Sequence, residues 1–145
     1  MDWCVVYGRT RKIAELVISE AQLKINSFIS HKVSPRDLWH CVCEAAQTAV
    51  DEFVKKHGEP MYCGSSHIII LEDSQGKFVT WLTQQGLGDS VDKRGKTYKL
   101  SYYSIMRGHR LLGTQSLDLQ ETAMEAVQSV LQLHGIKSSI RSWAD

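Results

Sequence analysis

Ser34-Pro35-Arg36-Asp37-Leu38, followed further along by His67-Ile68-Ile69-Ile70-Leu71, decides the class of fold. In the first stretch serine can accept from a free backbone amide, proline suits the first helical position, and aspartate lies three residues beyond the cap, so a helix starts here. Leu38, Val42, Ala45, Ala46, Ala49 and Phe53 make its apolar stripe, Lys55 and Lys56 suit the negative end of its dipole, and Gly58 supplies a left-handed stop. Glu59-Pro60 then breaks the chain. The second stretch is a continuous apolar run of strand length, as expected of a central strand covered on both faces.

Outward from this pair, the same rules place the other elements. Phe78, Val79, Leu82 and Leu87 fit a short helix ending at Gly86, with Trp81 beside its apolar face. Thr97-Tyr98-Lys99-Leu100-Ser101-Tyr102-Tyr103 is aromatic and partly alternating, which predicts a strand. Gly108 and Gly113 mark turns in the stretch that follows. Ser116 or Asp118 can cap a helix carrying Leu119, Ala123, Val127, Val130 and Leu131 until Gly135 stops it. Ile136 and Ile140 lie on one side of an extended tail that reads as an edge strand. Upstream, Asp2 to Tyr7 is β-prone, Ile13, Leu16, Val17 and Ala21 predict a helix over about 11 to 25, and Asn26 to Val33 reads as a connection. The expectation is one α+β domain over residues 1–145, with a small sheet of about three to four strands packed by about four helices. Residues 1–33 form an arm against the 34–145 core.

Composition narrows the function classes. The 145 residues are 43% hydrophobic and 23% charged with 2 prolines, which excludes collagen-like and wholly disordered chains. Lys+Arg 17 against Asp+Glu 16 leaves a formal charge of +1, so any electrostatic partner must meet a local patch. No stretch approaches the roughly 20 apolar residues of a membrane helix, and the start lacks the pattern of a secretory signal, so a cytoplasmic protein is expected. In a reducing compartment Cys4, Cys41, Cys43 and Cys63 are expected as free thiols. Cys41 and Cys43 project about 200° apart on a helix and cannot easily bond to each other.

A second strand of reading comes from Gly58-Glu59-Pro60-Met61-Tyr62-Cys63-Gly64, Lys77-Phe78-Val79-Thr80-Trp81-Leu82 with Gly86, Gln115-Ser116, Glu121, Ala126, Val130-Leu131, His134-Gly135-Ile136 and Ser142-Trp143-Ala144-Asp145. In order and spacing these resemble small proteins of tailed phages and prophages, over about residues 45–145. The resemblance implies a phage-encoded accessory protein in the host bacterial cytoplasm and carries no catalytic residues with it.

The chemical constellations give little support to catalysis. His40, Cys41 and Cys43, with Cys63 and His67, are residue types that zinc favours, but the two helical cysteines point to different sides, so no metal is assigned. Cys63 and His67 offer a thiol and a base without a visible oxyanion hole or orienting group, so no catalytic residue is assigned. No phosphate-loop or dinucleotide fingerprint occurs, and no cofactor is implied. Asp51-Glu52, Glu72-Asp73 and Asp37 with Glu44 read as solvated charges.

One charge asymmetry stands out. Between Asp92 and Asp118 there is no acidic residue, while Lys93, Arg94, Lys96, Lys99, Arg107 and Arg110 are interleaved with Tyr98, Tyr102, Tyr103 and His109. The binding site is therefore expected at Lys93, Arg94, Lys96, Lys99, Tyr102, Tyr103, Arg107, His109 and Arg110, with one of the two adjacent tyrosines facing the core. Such a segment suits a host protein with an acidic surface, whether a defence or a regulatory protein. The same patch serves a nucleic-acid or nucleotide-binding module as the alternative, and a Cys/His hydrolase or transferase is a third reading. The bland reading is a solvated strand edge protected by lysines.

Overall fold

The structure, a computed structural model, describes residues 33–71, 76–90 and 97–145. The strand expected at residues 2–7, the helix at 11–25 and the rest of the arm up to residue 32 lie outside them, as do Lys93, Arg94 and Lys96.

Helix α1 (Pro35–His57) begins as its sequence dictates: the Ser34 hydroxyl accepts from the amide of Asp37 at 3.1 Å, and Pro35 occupies the first turn. Gly58 ends it at φ 72°, where a Cβ would be strained. Strand β1 (Gly64–Ile70) starts three residues before the apolar run. Helix α2 (Lys77–Gln85) stops at Gly86 and leads to a two-residue strand β2 (Asp89–Ser90), then β3 (Tyr98–Ser101). A single helical turn α3 (Tyr102–Ile105), the long helix α4 (Leu117–Leu133) and strand β4 (Ser138–Ala144) complete the described chain.

The four strands form an antiparallel sheet in the order β2-β3-β1-β4, so the fold is α+β with β1 central and β4 at an edge. One face of that sheet carries Ile68, Ile70, Tyr98 and Leu100 into a core shared with Val42, Ala46 and Val50 of α1, Leu82 of α2 and Ala123, Val127 and Leu131 of α4. Period-two alternation turns the intervening residues to the other face. Among the described residues, the helices back the first face with core. Ile69, on the other face, is outside the core cluster although only 8% exposed.

The strand expected through Tyr103 ends at Ser101. The Ser101 hydroxyl accepts from the amide of Ser104 at 3.3 Å and starts a helical turn instead. That turn swings Tyr102 into the core at 2% exposure, where its hydroxyl donates to the carbonyl of Leu111 at 2.9 Å, and leaves Tyr103 58% exposed. One tyrosine does face the core, through a helical turn and not through strand alternation.

A buried amide joins the sheet to α4. Gln120 Oε1 accepts from the amide of Ser66 at 2.9 Å while its Nε2 donates to the carbonyl of Thr114 at 3.1 Å. Gly64 is needed beside this clamp, because a Cβ there would lie 2.6 Å from the carbonyl oxygen of Trp143 and 3.0 Å from the Leu117 side chain.

Candidate functional site

The described residues of the basic segment divide between two surfaces. Lys99 is half-buried on β3 and belongs to the sheet face away from the helical core. Tyr102 is buried and unavailable to a ligand, whereas Tyr103 is exposed on α3. Arg107 follows α3 and is exposed. His109, its side chain 10% exposed, places Nε2 2.8 Å from Asp51 Oδ1 and accepts the Leu111 amide on Nδ1 at 3.0 Å. An imidazole nitrogen that accepts carries no proton, so the Nε2 proton points at Asp51. Asp51, read from sequence as a solvated charge, thus holds the turn after α3 onto α1. Arg110 lies 4.0 Å from Glu59, with both side chains well exposed, a separation that contributes little in water.

Arg107 enters a different constellation. Together with Arg36, Trp39, Trp81, His40 and Cys43 it lines an open cleft of about 830 Å³ between α1, α2 and α3. Gln47 Nε2 donates to the carbonyl of Ile105 at 3.2 Å, fixing α3 to α1 at this cleft. Trp39 and Trp81 pack against the core while remaining partly exposed, so each offers an apolar surface at the cleft. The Cys43 thiol is pushed up to about 12 by burial, with Arg107 opposing that shift, so it stays protonated and is no nucleophile near neutral pH. The lining charges are Arg36 and Arg107 against Asp37, with His40 paired along the helix to Glu44 at 3.6 Å.

Arg36, Trp39 and Trp81 were not anticipated as site residues. Their sequence signal is modest: each indole sits at the margin of an amphipathic stripe, the position from which a helix can present apolar surface to a partner.

The Cys63 and His67 pairing has no catalytic geometry. Four residues of extended chain separate them by roughly 13 Å, beyond direct proton transfer. Cys63 Sγ is directed to the Met61 carbonyl at 3.6 Å, and the His67 ring packs edge-on against Trp143 at 5.2 Å. Cys43 and Cys63 are free thiols, but Cys41 is disulfide-bonded, which corrects the expectation for that residue. Composition and the angle between Cys41 and Cys43 excluded only their mutual bond, not a bond to another cysteine. Among the described residues no group of three His, Cys, Asp or Glu side chains could hold a metal ion, and no helix is long and apolar enough to cross a membrane. No known protein family, curated protein or solved structure matches the chain.

Proposed function

We propose that this chain is a non-enzymatic accessory binding protein, encoded by a phage or prophage, that docks in the host bacterial cytoplasm onto the acidic surface of a host defence or regulatory protein. The observation that carries this reading is the cleft that Arg107, from the basic segment, lines together with Arg36, Trp39 and Trp81. Arginine and tryptophan are the residue types that anchor protein interfaces: the indole supplies desolvated contact area and the guanidinium a planar fork for a carboxylate. Tyr103, exposed on the same short helix that contributes Ser104 and Ile105 to the cleft, extends the contact beyond the cleft. The occupant that fits is an acidic segment with one aromatic or aliphatic anchor.

The test is fluorescence anisotropy with a labelled short peptide in which a central phenylalanine is flanked by glutamates. Wild-type protein binds it, Arg107→Glu loses about 2 kcal/mol or more, and Trp81→Ala loses a similar amount. Equal binding by the wild type and by folded forms of both variants would overturn the reading.

A further inference from the structure

The sheet face turned away from the helical core carries a second, independent constellation. Cross-strand register sets its rows: Ser65 opposite Trp143, then Ser101, His67 and Arg141, then Asp89, Lys99, Ile69 and Ser139. These side chains share a face because alternate strand residues do, and the ring contact between His67 and Trp143 confirms it for the first two rows. Trp143 is 49% exposed, Arg141 is exposed, and Lys99 and His67 are partly so.

Three properties of this face point in one direction. Its strand residues carry two permanent cations, Lys99 and Arg141, from either side of β1, against the Asp89 carboxylate at the far edge, and Asp145 follows β4 just beyond Trp143. Its rings stand between and beside those cations. Burial, then the charges of Lys99 and Arg141, lower the pKa of His67, so at neutral pH the imidazole contributes as an uncharged ring. Beside these stand the half-buried hydroxyl residues Ser65, Ser101 and Ser139. The central region of a protein–protein interface is depleted of charge, whereas single-stranded nucleic acid asks for cations along a backbone path and aromatic surfaces for unstacked bases.

We infer that the sheet face formed by His67, Lys99, Arg141 and Trp143 binds single-stranded nucleic acid, with Trp143 stacking on a base and Lys99 and Arg141 contacting phosphates. The inference stands apart from the proposed docking cleft, since no residue of this face lines that cleft.

The experiment is anisotropy titration of fluorescein-labelled dT12 and rU12 with the whole protein over a series of salt concentrations. A duplex of the same length and polyglutamate serve as competitors, and circular dichroism confirms the fold of each variant. Wild type binds at least one single strand more tightly than the duplex. Trp143→Ala weakens binding about tenfold, as loss of one stacked base does. Arg141→Gln and Lys99→Gln each lower the slope of log affinity against log salt by about one. Because β4 is an edge strand with Trp143 on its exposed side, Trp143→Phe serves as the conservative variant and restores most of the affinity if stacking is the cause. The inference is overturned if neither strand binds at low salt, if the duplex competes as well as the single strand, or if polyglutamate displaces dT12 as effectively as unlabelled dT12. It is equally overturned if folded Trp143→Ala and Arg141→Gln bind like wild type.

Discussion

His109 and Asp51 are joined at 2.8 Å across 58 residues of sequence, and the bond places the turn after α3 against α1. The imidazole spends its other nitrogen on the amide of Leu111, so one side chain fixes the course of the chain just beyond Arg107 and ties it to the helix that carries Arg36 and Trp39.

Replacing each partner separates the two bonds. His109→Ala removes the acceptor for the Leu111 amide as well as the donor to Asp51, and costs about 1–3 kcal/mol if that amide stays unpaired. Asp51→Ala removes only a bond to a half-exposed carboxylate and costs less than about 1 kcal/mol. Urea unfolding of the two variants measures the difference, and an equal loss would assign the stabilisation to the carboxylate alone.

Gly64 and Gly113 give opposite outcomes on the same substitution. At Gly64 an added methyl meets the backbone oxygen of Trp143 at 2.6 Å, so Gly64→Ala must push β1 and β4 apart and is expected to lose about 2 kcal/mol or more. At Gly113 the methyl meets nothing within 4 Å, and Gly113→Ala is expected to be neutral or to gain up to about 1 kcal/mol through a less flexible unfolded chain. Thermal melts of both variants check the contrast.

Alkaline pH is expected to weaken the fold through Cys43 and Tyr102. Burial raises both above their ordinary values, Cys43 from 9.0 to about 12. A group whose charged form the folded state disfavours adds no penalty below its unfolded pKa. As the pH rises beyond about 9 the unfolded chain ionises at Cys43 and the folded chain does not, so stability falls from there towards 12. Urea midpoints at pH 8 and 11 should differ more for wild type than for Cys43→Ala. At pH 8, in the folded protein, iodoacetamide should label exposed Cys63 and leave Cys43 unmodified.

What the sequence made legible follows from how local each cause is. Helix α1 carries its cap, its proline, its apolar stripe and its terminal glycine within its own span, and it was read with nearly correct ends. Gly86 marked the stop of α2 in the same way. Tyr102 and Tyr103 depart from the expected strand because Ser101 caps a turn whose stability comes from Tyr102 reaching Leu111, a tertiary event with no local signature. Strand β2 was missed because its two residues are defined only by pairing with Tyr98 and Lys99. The basic segment was visible as a run of charge, but the α3 turn sends Lys99 to the sheet and Arg107 to the cleft. The cleft joins Trp39, Trp81 and Arg107 from separate elements, a proximity that no spacing encodes. Gln120 was likewise invisible, since a buried glutamine earns its place only through Ser66 and Thr114.

The most direct measurement of the docking account is a proton–nitrogen NMR spectrum of the indole Nε1–H groups, assigned by single tryptophan replacement and recorded during titration with the glutamate-flanked phenylalanine peptide. The cleft contains Trp39 and Trp81, and the sheet face contains Trp143. The account predicts that the peptide shifts the Trp39 and Trp81 signals, leaves Trp143 in place, and loses these effects in Arg107→Glu. A peptide that leaves both cleft indoles unmoved, or that moves Trp143 alone, would contradict it.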